Sequence, residues 1–290
     1  MSAQILHLVI DDKFIDMAIR EFDLCAPQRN RYLSLRTDKP KKYIRSNRIE
    51  FLSPDEILQL INDDSRCAAV VFHTIDSNEL TLISKIKKGR KIAWIGWGYD
   101  YYDRLLSQAF PAGLTGPQTS ALMQNSPGAK SQKTQRSLLR ALAARLIKGP
   151  HPEYKVLRKI STFSPVIEDE FHLARKLNPW FRPEYCAWNY GSAEEDFGAN
   201  NPISSEAKGK DIIVGNSASP NNNHLEAFAH IATYDTGPSS RIIVPLSYGN
   251  PWYRDEIIKA GESMFGERFT PLTEFMAKEA YNTLLENCSQ

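Results

Sequence analysis

At 290 residues the chain is long enough for two domains, and a hydrophobic fraction of 42% with a charged fraction of 24% is that of an ordinary soluble globular fold. A formal net charge of +2 excludes bulk attraction to nucleic acid, and four dispersed cysteines (Cys25, Cys67, Cys186, Cys288) with no CxxC pair exclude a disulfide scaffold and a structural zinc site. The N-terminus lacks the basic and long apolar regions of a secretory signal, and no apolar run approaches the ~18 residues of a membrane span, so the expected setting is the cytoplasm.

In chain order, Ile5–Ile10, Ala68–Phe72 and Ile92–Ile95 are near-continuous apolar runs, the pattern of strands covered on both faces. Between the first two, Ser53-Pro54-Asp55-Glu56 opens a helix: Ser53 as N-cap, Pro54 at the first helical position, acids in the first turn. Ile57, Leu60 and Ile61 then follow helical spacing, and Leu80, Ile83 and Ile86 set another helix between the second and third strands. Strand–helix–strand alternation predicts an α/β fold with a parallel sheet.

The alternation breaks at about 111–150. Residues 111–135 are rich in Pro, Gly, Ser, Gln and Lys and read as a mobile loop, and RSLLRALAARLIK after them reads as a short amphipathic basic helix. From Gly128 to Ile160 there are nine Lys/Arg against one acid, Glu153. Two readings stand: a solvated charged helix, or peripheral contact with an anionic membrane through Lys130, Lys133, Arg136, Arg140, Arg145 and Lys148. A contact of the same stretch with nucleic acid is weaker, because no recognition motif accompanies it.

A further strand and helix are expected over 160–177, then a Pro-, Gly- and Asn-rich connection to Lys210. Boundaries follow: an N-terminal domain over 1–190, a linker over 191–210, and a C-terminal domain over 211–290. That last domain begins with a strand at Asp211 and a helix carrying Leu225, Phe228, Ala229 and Ala232. Its second strand is Arg241–Pro245. Thr270-Pro271 then reads as the start of a last helix, with Leu272, Phe275, Met276 and Leu284. Two strands make a poor sheet, so this domain reads as incomplete.

Three loops at strand ends carry polar or aromatic residues. Ile212–His224 (IIVGNSASPNNNH) leaves a strand at Gly215; with Asn216 and Ser217 it is either a turn that aims amides and a helix N-terminus at an anion, or an Asn/Ser-rich loop. Trp94–Tyr102 (WIGWGYDYY) runs off a strand's carboxyl end, where open α/β sheets bind ligands. Within it Asp100 is either a helix cap or an acid facing a pocket, and His73, at the equivalent edge, is either a buried structural histidine or a site residue. Pro245–Asn250 (PLSYGN) would lie beside Gly215; its Tyr248 either stacks on a ligand or sits in a plain turn. No HExxH or GxSxG appears, and the six histidines are dispersed, so neither metal chemistry nor a serine nucleophile is indicated.

Phe72-His73, W-I-G-W-G-x-D-x-Y, I-I-V-G-N-S followed by N-x-H, and V-P-L-S-Y-G occur in the order found in a known family. The chain resembles the TDP-N-acetylfucosamine:lipid II N-acetylfucosaminyltransferases, the 4-α-L-fucosyltransferase-like glycosyltransferase family 56 that helps make enterobacterial common antigen. The resemblance implies the GT-B fold, two Rossmann-like domains with the nucleotide-sugar held mainly by the C-terminal one. It also implies a TDP-linked amino sugar as donor, a polyprenyl-diphosphate-linked saccharide as acceptor, work at the inner face of the cytoplasmic membrane, no cofactor and no metal. Carried over by position, Gly215, Asn216 and Ser217 would face the donor diphosphate, with Asn223 (or Asn222) and His224 on the donor side at the same helix start and Tyr248 and Gly249 beside the nucleotide. His73, Trp97 and Gly98 would face the acceptor, and Asp100 would be the base that deprotonates its hydroxyl. Family members continue past the Leu272–Cys288 helix into an Arg-Gln-Gln-like donor segment, so the C-terminal domain is expected to be partial here. The alternative reading is a sugar-nucleotide or glycan binder that keeps the fold without the chemistry.

Overall fold

The computed structural model of the chain describes residues 3–35, 41–110, 113–127, 153–191, 210–234, 240–286 and 288. They fall into two compact units: 3–110 with 153–191, and 113–127 with 210–288. The expected basic helix, with Lys130, Lys133, Arg136, Arg140, Arg145 and Lys148, and nearly all of the expected 191–210 linker lie outside the described residues. The strands are β1 (Gln4–Leu8), β2 (Asn30–Ser34), β3 (Ile49–Phe51), β4 (Cys67–His73), β5 (Ile92–Ile95), β6 (Thr162–Ser164), β7 (Glu184–Tyr185), β8 (Ile212–Ile213), β9 (Ile242–Pro245) and β10 (Phe269–Leu272). The helices are α1 (Ile15–Cys25), α2 (Pro54–Asn62), α3 (Ser77–Lys85), α4 (Pro117–Gln124), α5 (Tyr154–Leu157), α6 (Glu168–Leu177), α7 (His224–Ile231), α8 (Pro251–Phe265) and α9 (Lys278–Glu286).

The first unit holds a seven-stranded sheet in the order β3-β2-β1-β4-β5-β6-β7, parallel at every pairing. The chain runs outward from β1 to β2 and β3, then crosses back to β4 on the other side. A topological switch point therefore sits between the carboxyl ends of β1 and β4. Leu6, Val70, Phe72, Trp94 and Phe163 from the central strands are essentially inaccessible, with Ile57 and Ile83 of α2 and α3 packed on them. Ser53 caps α2 as the sequence indicates, and Ser53–Glu56 and Asp76–Glu79 each form a reciprocal capping box. Lys159 Nζ donates to the carbonyls of Ile83, Ser84 and Ile86 at the end of α3, which takes one of the nine basic residues into helix capping.

Three elements depart from the sequence reading. Residues 178–191, expected as connection, belong to the first sheet: Phe181 is fully buried and Glu184–Tyr185 adds a seventh strand. Phe269–Leu272 is a strand and not a helix start, so the second sheet has three parallel members in the order β10-β9-β8. Pro271 is tolerated because β10 is an edge strand, where a missing N–H leaves no ladder bond unmade. The region read as a mobile loop contains α4, which packs with α7 in the second unit. Its start is capped by a carboxylate 107 residues away in sequence, a signal no local window holds.

Candidate active site

In the second unit, β8 runs through Val214 into Gly215, whose φ of +71° is open to glycine at little steric cost. A Cβ at Gly215 would lie 2.7 Å from His224 Nε2 and 3.3 Å from the Asn222 side chain. Gly215 and Asn216 are exposed, and the amides of Gly215, Asn216 and Ser217 take no hydrogen-bond partner among the described residues. Asn222 Nδ2 folds the loop back by donating to the Ser217 carbonyl (2.8 Å) and hydroxyl (3.0 Å), while Ser217 donates to Asn216 Oδ1 (3.0 Å).

The loop after β9 lies against this one, as the sequence order implied. Ala218 N donates to the Tyr248 carbonyl (2.7 Å), and Asn250 N donates to that of Ala218 (2.9 Å). Gly249 sits between them at φ +118°, and a Cβ there would lie 2.5 Å from the Ala218 carbonyl oxygen. Asn250 then caps α8 by accepting from Tyr253 N, with Pro251 at the first helical position.

His224 starts α7 and is inaccessible to solvent. Its Nδ1 is 3.2 Å from the Tyr253 hydroxyl, whereas its Nε2 is buried with no partner among the described residues. Burial lowers its pKa from 6.5 to about 4, so the ring is neutral near pH 7. Asn223, in the left-handed conformation at φ 52°, is spent elsewhere. Its Oδ1 accepts from Gly116 N (2.7 Å) and its Nδ2 donates to the Leu114 carbonyl (3.0 Å). It therefore holds the α4 segment in place and does not face a donor, a correction to the role carried over for it. One turn on, the Glu226 carboxylate accepts from the amides of Gln118 and Thr119 and from the Thr119 hydroxyl (2.6 Å), capping α4. Burial opposes ionisation of Glu226, but these hydrogen bonds outweigh it and hold the carboxyl below its usual range.

At the carboxyl edge of the first unit, His73 ends β4 and is also inaccessible. Asn30 Nδ2 donates to the carbonyls of Phe22 and Ala26, which leaves Asn30 Oδ1 to accept from His7 Nε2 (3.1 Å). His7 Nδ1 is then an acceptor and receives His73 Nε2–H (3.1 Å), and His73 Nδ1 in turn accepts from the Tyr190 hydroxyl (3.3 Å). Trp97 Nε1 donates to the Tyr190 oxygen, closing the chain. Burial brings His7 down to about 4 and His73 well below its ordinary value, consistent with two neutral rings. With both nitrogens taken and no accessible surface, His73 is structural and does not face an acceptor.

Asp100 needs the same correction. It is 1% exposed, and its carboxylate accepts from Trp94 Nε1 (2.8 Å), Trp97 N (2.8 Å) and Ile75 N (3.2 Å). Burial raises its pKa while those bonds pull it back. Such a carboxylate ties the ends of β4 and β5 together and offers no oxygen to a substrate hydroxyl, so it is not placed to act as the base. Gly98, at φ +91°, turns the chain between Trp97 and Tyr99. Trp97 is half-buried in a patch of rings that includes Phe14 (centroids 5.9 Å apart), Tyr99 (6.4 Å) and Tyr190 (5.8 Å), with Trp188 4.5 Å from Tyr190. Tyr190 and Trp188 escaped the sequence reading because they follow a two-residue strand inside a stretch rich in turn formers; Trp-x-Tyr after an apolar Phe181 was the available signal.

Parallel sheets in two units, with polar loops at the carboxyl ends of their strands, are the architecture of the GT-B fold. The chain is similar to the sucrose-phosphate synthase of Thermosynechococcus elongatus, with 8% identity and a TM-score of 0.55 over 99% of this chain and 74% of that one. It is likewise similar to an alpha-glucosyltransferase solved in complex with UDP, with 9% identity and a TM-score of 0.52 over 99% of this chain and 72% of that one. At such identities the likeness is one of fold. Residues 193–290, the segment that carries Gly215, His224 and Gly249, match the family described as 4-alpha-L-fucosyltransferase, glycosyl transferase group 56. That match together with the GT-B fold marks the chain as a glycosyltransferase.

Proposed function

We propose that the chain moves an amino-deoxy sugar of the N-acetylfucosamine kind from a TDP-sugar to a polyprenyl-diphosphate-linked saccharide, a step in surface-polysaccharide synthesis, with the donor diphosphate held at the Gly215–His224 turn. The observation that carries this is the buried, unpartnered Nε2 of His224 directly behind Gly215. A buried polar atom left unpaired costs about 1–3 kcal/mol, and a ligand atom at the exposed turn would satisfy it. In this reading the Tyr253 hydroxyl donates to Nδ1, Nε2 carries the proton, and Nε2–H joins the unpaired amides of Gly215, Asn216 and Ser217 on the phosphate oxygens. Neutral donors aimed at the departing diphosphate stabilise the negative charge that grows on it as the sugar leaves. Tyr248 and Gly249 flank the same turn and would border the nucleoside.

The acceptor and the membrane belong to the same proposal. A lipid-linked acceptor sits at a membrane face, and the surplus of Lys and Arg between Gly128 and Ile160 supports peripheral attachment to anionic lipid there. Among the described residues no helix is long and apolar enough to cross a bilayer. Titration of the protein with TDP, followed by transfer from a TDP-sugar to the lipid-linked saccharide in detergent, tests the reading. Saturable TDP binding and a glycosylated lipid product are expected; absence of TDP binding would overturn the donor site, and binding without transfer would favour a sugar-nucleotide binding protein. Salt-sensitive cosedimentation with phosphatidylglycerol vesicles tests the membrane contact, and equal sedimentation with neutral vesicles would refute it.

A further inference from the structure

Three acids lie within six residues after β1, and two of them are committed to the backbone. Asp11 accepts from the amides of Lys42, Tyr43 (3.1 Å) and Ile44 (3.0 Å), and Asp16 accepts from those of Arg45 (2.8 Å) and Ser46 (3.1 Å). Between them they fasten the 42–46 loop. Asp12 is different. Its hydrogen bonds come from the backbone of Phe14 (3.1 Å) and Lys13, and among the described residues no side chain donates to it. It is half-buried and close enough to Tyr99 and Tyr190 for its charge to act on both phenols.

Its place in the fold adds to this. Asp12 leaves the carboxyl end of β1 and Thr74 leaves that of β4, the two sides of the switch point where open α/β sheets bind ligands. Thr74 has φ +88°, a conformation strained for a β-branched residue, and its hydroxyl is hydrogen-bonded to that of Tyr99 at 2.9 Å. Beside them stand the rings of Phe14, Trp97, Tyr99 and Tyr190; Phe14 is 37% and Tyr99 57% exposed. The hydrogen-bond chain from Asn30 to Trp97 fixes Tyr190 and Trp97 in this patch. An accessible group of aromatic faces next to a carboxylate to which no side chain among the described residues donates matches a saccharide: the apolar C–H face of a sugar ring lies on an aromatic ring while the carboxylate takes one hydroxyl.

We propose that Asp12 is the base that takes the acceptor hydroxyl's proton, and that the Phe14–Trp97–Tyr99–Tyr190 patch carries the acceptor sugar. The assignment rests on the glycosyl-transfer reading above and names its acceptor site. In the step, the acceptor O–H proton passes to the Asp12 carboxylate as the hydroxyl oxygen forms a bond to the anomeric carbon of the donor. The bond from that carbon to the diphosphate oxygen breaks, and its electron pair leaves with the nucleoside diphosphate. Asp12 then returns the proton to water. Nothing is oxidised or reduced.

Asp12→Asn keeps an acceptor for the Phe14 amide, so the turn is preserved while the base is lost. General-base catalysis contributes about 10²–10⁴ in rate, so transfer is expected to fall at least 100-fold, with the TDP dissociation constant within twofold of wild type and the melting temperature unchanged. Asp12→Glu should recover part of the rate. Trp97→Phe should raise the acceptor KM several-fold and leave TDP affinity alone. Transfer by Asp12→Asn within threefold of wild type would overturn the assignment. A wild-type protein that binds no TDP would instead overturn the donor-site reading, so the two failures are distinct.

Discussion

His73 at the end of β4 and His224 at the start of α7 are both inaccessible and both held neutral by burial, yet their ring nitrogens are used differently. Each nitrogen of His73 has a partner inside its own unit, with His7 on one side and Tyr190 on the other. His224 uses Nδ1 on Tyr253 and leaves Nε2 unpaired behind an exposed glycine turn. Full pairing is what a buried polar group needs for stability, so His73 explains itself as structure. An unpaired buried nitrogen lowers stability, and in the proposed reading a ligand at the turn accounts for it and for three amides that have no partner among the described residues. Residue type and burial are the same in the two places; the state of the second nitrogen distinguishes support from site.

The comparison can be broken in several ways, starting with pH. His7 and His224 both have folded pKa values of about 4, below the ordinary 6.5. Between pH 6.5 and 4 the unfolded chain therefore binds protons that the folded chain does not, and stability falls as pH drops through that window and is full above it. At pH 5 each ring should lower stability by about 2 kcal/mol, a combined loss of about 4 kcal/mol, which thermal melts from pH 7.5 to 5 would reveal. Saturating TDP should leave the His7 part unchanged. A flat stability profile would mean that the rings are not held neutral.

Next in size is Gly249→Ala. The added Cβ would press on the Ala218 carbonyl at a φ of +118°, so a loss of about 3 kcal/mol is expected, together with the register between the two loops. Denaturant unfolding and TDP titration should both register it. His73→Phe should cost about 2 kcal/mol by stranding His7 Nδ1 and the Tyr190 hydroxyl, with no change in TDP affinity. Weakened TDP binding by folded His73→Phe would erase the distinction between the two histidines. Smallest is Glu226→Gln, which replaces a charged cap of α4 by a neutral one; about 1 kcal/mol of stability and faster proteolysis near residue 117 are expected.

Much of this arrangement was legible in the residues. Continuous apolar runs gave β1, β4 and β5 because strands covered on both faces need no alternation, and Ser53-Pro54-Asp55-Glu56 gave the start of α2 because its cap is local. The three loops at strand ends were visible as glycine-bearing polar or aromatic stretches, and the adjacency of the Gly215 and Tyr248 loops within the second unit followed from parallel order. What escaped depends on distant partners. α4 is capped by Glu226, β7 is two residues long, and Pro271 is acceptable only on an edge strand. The site roles that the resemblance carried onto His73, Asp100 and Asn223 fail for one reason: sequence places them at ligand-bearing edges, while the hydrogen bonds that decide their use come from residues 3 to 117 positions away. Asp12 was overlooked because Asp11 and Asp16 look alike in sequence and only their contacts separate them.

Isothermal titration of wild type and His224→Phe with TDP near pH 7.5 tests the central claim most directly. The Gly215–His224 turn as diphosphate cradle predicts saturable binding by wild type and at least tenfold weaker binding by the variant, about 1.4 kcal/mol, with the fold retained. Equal affinity in the two proteins would contradict it.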